Sequence, residues 1–196
     1  MAGAIAAAGP CTLGPRRTPG GAFGALARAI CYQQLAGAAA GAIHGRFVTL
    51  CGGTPTAAAV AALPIEAMRA TGLSGAKVRS MADLAARVSD GRLRLRGLDT
   101  LSDAEVELRL CQVTGIGPWT AQMFLMFHLL RPDVWPVGDL GVRVGFARIH
   151  GLATMTPVEL MAAGDAYRPY RSVAAWYCWR AVDLPSKPSD PVSPWS

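Results

Sequence analysis

Two stretches of the chain carry residues arranged for chemistry. In Trp135-Pro136-Val137-Gly138-Asp139-Leu140-Gly141-Val142-Arg143, a loop rich in Pro and Gly ends on an aspartate where a helix can start. A carboxylate there accepts amides of the helix it caps. Shielded from water, it also stabilises positive charge that develops on a reacting group. Both roles are open to Asp139. Upstream, Val113-Thr114-Gly115-Ile116-Gly117-Pro118-Trp119-Thr120-Ala121 sets Gly115 and Gly117 around a tight turn and Pro118 at a first helical position, where its missing N–H costs nothing. Bare amides at a helix start are a ready phosphate site. An ordinary helix C-cap followed by a new helix gives the same residues without a ligand. Flat electron-rich rings attract cations by about 1–2 kcal/mol when desolvated. Trp119 and Trp179 supply such rings, with Tyr32, Trp135 and Trp176 behind them. Core packing is the competing role for each, foremost for Trp176. His44, His128 and His150 are scattered, which favours packing or surface roles, and Asp133 reads as an exposed loop charge.

The elements that must position these residues are helical. Ala-rich runs over 23–50 and 55–63 and a third segment over 74–88 are each bounded by Gly or Pro. Ser102 with Glu105 and Thr156 with Glu159 have capping-box spacing, so helices should begin there. Period-two alternation is confined to Leu93-Arg94-Leu95, and no internal repeat is visible. The expected fold class is all-α. Residues 1–20 carry too many Gly and Pro breakers for a regular element and read as a flexible lead-in, the folded domain is expected over 21–184, and residues 185–196 read as a Pro/Ser-rich tail that leaves Trp195 unexplained.

Composition narrows the partners. Hydrophobic residues make up 52% of the 196 positions and charged residues 16%, which favours packed helices over a solvated chain. The net charge is +6, and apart from Lys77 and Lys187 every basic residue is Arg, whose fork suits phosphate oxygens. Five cysteines without a C-x-x-C pair argue against a disulfide framework, a zinc site or an iron–sulfur cluster. The uncharged stretch 47–65 is broken by Gly and Pro, and the start of the chain has no positively charged leader, so neither a membrane span nor a secretory signal is expected.

Taken in order, the hairpin and the Gly/Pro-rich loop ending in Asp139 resemble the helix–hairpin–helix glycosylase superfamily (HhH-GPD). Further segments narrow the resemblance to bacterial DNA-3-methyladenine glycosylases of the AlkA type. These are Arg28-Ala29-Ile30-Cys31-Tyr32-Gln33-Gln34-Leu35 with Ala38-Ala39, Gly72-Leu73-Ser74-Gly75-Ala76-Lys77, and Arg168-Pro169-Tyr170-Arg171-Ser172 followed by Trp176-Tyr177-Cys178-Trp179. The likeness spans roughly residues 23–182.

That resemblance implies a two-lobed helical fold with the active site in the cleft between the lobes, without the N-terminal β-domain of some relatives. It implies a monofunctional base-excision-repair enzyme that flips an alkylated purine out of double-stranded DNA, hydrolyses its N-glycosidic bond and leaves an abasic site. Asp139 would be the catalytic carboxylate, acting electrostatically or by orienting water. Trp119, Trp179 and Tyr32 would line the base pocket with Met123, which stands where some relatives place an aromatic residue. Gln34 would be the wedge that fills the emptied stack, and Gln33 would hydrogen-bond near the lesion or the opposite base, although paired glutamines also simply face solvent. Thr114, Gly115, Gly117 and Thr120 would meet the DNA backbone, while Arg171 and Ser172 would touch phosphate or brace the last helix. The carbonyls of Cys111, Val113 and Ile116 would hold Na+ or K+ at the hairpin, and no cofactor is required. Relatives with lyase activity carry a nucleophilic Lys where this chain has Trp119, so no Schiff base is expected. The implied setting is a monomer in the bacterial cytoplasm, at the nucleoid when it acts. Two alternatives remain: a non-catalytic DNA-binding hairpin module, against which the full Asp139 loop argues, and a glycosylase for oxidised or mismatched bases, against which the missing hairpin Lys and cysteine cluster argue.

Overall fold

The computed structural model describes residues 1–15, 18–35 and 37–183; the expected tail at 185–196, with Lys187 and Trp195, lies outside the described residues. Among the described residues all regular structure is helical: α1 (Ala2–Ala8), α2 (Gly21–Tyr32), α3 (Gly37–Leu50), α4 (Ala57–Ala61), α5 (Ile65–Ala70), α6 (Gly75–Ser89), α7 (Asp103–Leu110), α8 (Pro118–Phe127), α9 (Leu140–His150), α10 (Pro157–Ala163) and α11 (Arg171–Asp183), with 3-10 turns at Leu98–Thr100 and Gly164–Tyr167. The chain divides into a continuous unit, Pro15–Leu129, and a terminal unit formed by Met1–Gly14 with Leu130–Ser196.

In the continuous unit α2 packs against α3, α6 and α8, while α4 and α5 lie on α6 and α7 lies on α8. Its core is built from Leu26, Ile30, Phe47, Met81, Leu84, Leu110, Phe124 and Leu125, all 2% exposed or less. Local chemistry sets the helix starts. Ser74 Oγ accepts the Lys77 amide at the head of α6, Thr56 does the same for α4, and Ser102 with Glu105 forms the expected capping box on α7. The Ala-rich run over 23–50 is two helices. Gln33 leaves α2 in extended conformation and Gln34 takes φ 55, so the pair of glutamines sits in a turn.

In the terminal unit α9 packs on α11, α10 packs on α9 and on the second 3-10 turn, that turn also packs on α11, and α1 lies against α11. Where sequence pointed to a breaker-rich lead-in, residues 2–8 form a helix. Ala-rich composition favours it, but seven residues do not hold a helix in water by themselves. The contact with α11 and the Tyr177 hydroxyl, which donates to the Gly9 carbonyl at 3.0 Å, hold this end in place. Thr156 and Glu159 form the second expected capping box.

Candidate active site and nucleic-acid interface

Asp139 is the N-cap of α9. The loop before it is wound tightly: the Val137 amide donates to the Trp135 carbonyl and the Asp139 amide to the Pro136 carbonyl, both at 2.9 Å. Oδ1 of Asp139 accepts the Val142 amide at 2.8 Å and the indole Nε1–H of Trp179 at 3.0 Å. The carboxylate is therefore oriented from its own helix and from α11. That approach needs glycine on α9. A Cβ at Gly141 would lie 2.9 Å from Trp179 Cδ1 and 3.1 Å from Asp139 Oδ1, and one at Gly145 would lie 1.9 Å from the Cys178 carbonyl oxygen. Two bare positions one turn apart let α11 come close enough for Trp179 to reach Asp139.

The loop is anchored at its other end by α11. Ser172, fully buried, donates its hydroxyl to the Arg131 carbonyl at 2.6 Å and accepts the Val134 amide at 3.0 Å. Arg171 grips Asp133 with Nε on Oδ1 at 2.7 Å and Nη2 on Oδ2 at 2.9 Å, and Arg168 adds Nη1 on Oδ2 at 2.9 Å. Of the two roles left open for Arg171 and Ser172, these contacts are bracing ones. Asp133 is correspondingly an anchor rather than a loose surface charge, and Arg171 holds its carboxyl below the usual carboxylate range. Trp135 belongs to the core: it is 6% exposed, donates Nε1–H to the Leu160 carbonyl at 2.8 Å, and packs with Phe146 and Tyr167.

In the continuous unit the hairpin lies between α7 and α8. Gly115 has φ 78, in the left-handed region that favours glycine, and a Cβ there would lie 2.1 Å from Ser80 Oγ. The Ile116 amide donates back to the Val113 carbonyl at 3.0 Å. The Thr114 amide is taken by Asp83 Oδ2 at 2.7 Å, so this expected DNA-binding position presents no amide to a phosphate. The amides of Gly115 and Gly117 have no acceptor among the described residues and stand at the head of α8 with Pro118 at its first position. Thr120 is buried, and its hydroxyl accepts Gln33 Nε2 at 2.8 Å.

The helix expected over 74–88 is present as α6, but the part its face plays behind this hairpin was not foreseen. Along one face of α6, Lys77 donates to the Cys31 and Gln33 carbonyls, Ser80 abuts Gly115, and Asp83 takes the Thr114 amide while pairing with Arg87 at 2.9 Å. Burial pushes the Asp83 carboxyl up, but the Thr114 amide and the Arg87 guanidinium outweigh it and hold the group below its ordinary value. The spacing of 77, 80, 83 and 87 is that of one helix face, and this was the available signal.

The aromatic candidates differ in setting. Trp119 and Trp179 are half-buried. Tyr32 carries the Arg28 guanidinium over its ring at 4.1 Å and meets His44 edge-on, and Met123 is 8% exposed. Gln34 is exposed, as is its neighbour Leu35. His128 packs on Phe124 and His150 on Phe146. Among the described residues no group of three His, Cys, Asp or Glu side chains is placed to hold a metal ion, and no helix is long and apolar enough to cross a membrane.

A profile described as HhH-GPD superfamily base excision DNA repair protein matches residues 27–169. DNA-3-methyladenine glycosylase 1 of Schizosaccharomyces pombe is 36% identical over 163 residues, covering 81% of this chain and 72% of that protein. The solved structure of the S. pombe 3-methyladenine DNA glycosylase Mag1 in complex with abasic DNA superposes with a TM-score of 0.86 at 33% identity, covering 93% of this chain and 91% of that one. A DNA-3-methyladenine glycosidase from Bacillus halodurans gives a TM-score of 0.75 at 34% identity, covering 91% and 82%.

Proposed function

Because the chain belongs to the HhH-GPD superfamily of base excision DNA repair proteins, we propose that it is a monofunctional DNA glycosylase that removes an alkylated purine from duplex DNA. The observation that carries this reading is Asp139, an N-cap carboxylate whose Oδ1 is oriented by the Val142 amide and the Trp179 indole. As the C1′–N bond breaks, its electron pair leaves with the base and the sugar takes on oxocarbenium character. A preoriented carboxylate stabilises that charge without having to reorganise. Water then adds its oxygen to C1′ and loses a proton, leaving an abasic site with both phosphodiesters intact.

Trp119 and Trp179 supply the rings for the flipped base, with Tyr32 and Met123 as further pocket residues. A cationic alkylated purine is drawn to such faces more than a neutral one. The amides of Gly115 and Gly117 take a backbone phosphate at the head of α8. The carbonyls of Cys111, Val113 and Ile116 are hard oxygen donors, the latter two in the turn closed by the Ile116–Val113 hydrogen bond, and such donors suit Na+ or K+; such an ion would add positive charge beside that phosphate. Gln34, exposed at φ 55, is the wedge. We place the enzyme in the cytoplasm, at the nucleoid when it acts, as a monomer.

A set of duplex oligonucleotides, each with one modified base, tests the reading. Alkali-dependent strand breaks at alkylated purines are expected, with no adduct trapped by borohydride. Binding without breaks at any modified base would leave only a DNA-binding module, and a trapped adduct would make the enzyme a lyase.

A further inference from the structure

Gln33 stands beside the proposed wedge, and the resemblance would have it read the lesion or the opposite base. Its amide nitrogen is already engaged within the protein. Nε2 donates to the Gly115 carbonyl at 2.8 Å and to Thr120 Oγ1 at 2.8 Å, and an amide nitrogen has two protons to give. The same residue is held from the other side. Its backbone carbonyl accepts the Lys77 ammonium at 2.8 Å, and that ammonium also takes the Cys31 carbonyl at 2.9 Å, at the end of α2. The end of α2, the face of α6 and the hairpin with the start of α8 therefore meet at one residue, α6 through its backbone carbonyl and the hairpin and α8 through its side chain.

The turn being held is strained. Gln34 keeps φ 55, a conformation that a residue with a Cβ adopts rarely and keeps where its surroundings enforce it. On one side of Gln34 the chain is fixed by Lys77 and by the Gln33 side chain, whose hydrogen bonds reach the hairpin and Thr120.

We propose that Gln33 is a positioning residue: a latch joining the turn that presents Gln34 to the hairpin that presents the Gly115 and Gly117 amides, so that wedge and phosphate grip are set as one part. The roles of the two ends rest on the glycosylase reading. The latch does not, because it is made within the protein. It assigns Gln33 to geometry rather than to base reading, and it predicts that its effect is blind to DNA sequence.

The test uses the full chain and three measurements. Affinity for an undamaged fluorescein-labelled duplex reads the hairpin grip. Fluorescence of 2-aminopurine placed beside an abasic-site analogue, in four duplexes differing in the opposite base, reads the wedge. NMR of the wild-type protein follows the Gln33 side-chain amide protons. Gln33→Met, which keeps length and loses the donors, should weaken undamaged-duplex binding by up to about thirtyfold, the equivalent of two ordinary net hydrogen bonds. Thr120→Val should produce part of that loss, and the double variant should be no weaker than Gln33→Met. The 2-aminopurine change should shrink equally in all four duplexes, and the amide protons should exchange slowly both without and with DNA. Additive losses, a dependence on the opposite base, or amide protons that move when DNA is added would each overturn the latch. If Gln33→Met does not fold, the wild-type amide protons and Thr120→Val still decide. If wild-type protein releases no base, the glycosylase reading fails while the affinity and amide measurements continue to judge the latch.

Discussion

Replacing Trp179 by Phe removes one N–H and keeps an aromatic ring on the same face of α11. In the wild-type protein that N–H reaches Asp139 Oδ1 at 3.0 Å, and the same oxygen takes the Val142 amide at 2.8 Å. A hydrogen bond to a charged acceptor contributes about 1.5–3 kcal/mol. Losing the lateral donor removes the contribution of α11 at this oxygen, so the carboxylate is less well preoriented for the chemistry proposed for it. If all of that energy is expressed in the transition state, the rate falls roughly 10- to 150-fold. The assay is single-turnover release of 3-methyladenine with enzyme in excess, alongside the melting temperature. Gly141→Ala gives an independent check, since its new Cβ would press on Trp179 Cδ1 at 2.9 Å without removing any polar atom. Alanine improves helix propensity by up to about 1 kcal/mol, which offsets part of an overpacking cost of about 1–3 kcal/mol, so that variant should lose rate more steeply than stability. If Trp179→Phe keeps its rate within about twofold while Trp179→Ala collapses, the ring acts by stacking and the bond to Asp139 is incidental.

Asp139→Asn should abolish base release while duplex binding survives, because the amide oxygen still caps Val142 but carries no charge; near-wild-type turnover would remove Asp139 from the chemistry. Gly145→Ala should destabilise the fold by about 1–3 kcal/mol or more, since its Cβ would meet the Cys178 carbonyl at 1.9 Å, and an unchanged melting curve would contradict the close packing of α9 on α11. Asp133, held below its unfolded value of 3.8 first by Arg171, contributes stability that is present in full above that pH and lost as pH falls through the lower folded value. Arg171→Gln should therefore flatten the acid limb of melting temperature against pH below 3.8, and an identical limb in both proteins would refute the anchor.

What was legible in the sequence was local. Ser102 with Glu105 and Thr156 with Glu159 declare helix starts because both partners of a capping box lie within one turn, and Asp139 after Gly138 declares another. The hairpin is legible because glycine and proline punctuate it. The remainder depends on partners remote in sequence. Gln33 reaches Gly115, Ser172 reaches Arg131, and Trp179 reaches Asp139. The residue type shows that each side chain needs a partner but does not say which one. Helix α1 was hidden for a related reason: the glycines and prolines after residue 8 suggested an irregular lead-in, whereas docking on α11 decides the matter. The break after Tyr32 was hidden because alanine continues on both sides of it.

The Tyr177–Gly9 hydrogen bond has a consequence in time. A nascent chain emerges from its first residue onward, and compact units assemble once all their parts are available. The continuous unit, with the hairpin and the α6 face behind it, is complete in sequence at Leu129. The unit that holds Asp139 combines the first fourteen residues with everything from Leu130, and its closing helix is α11. Its opening segment must therefore wait through the synthesis of the other unit before Tyr177 reaches Gly9. During biosynthesis the part proposed to grip DNA is finished first, and the carboxylate receives its indole partner only as α11 arrives.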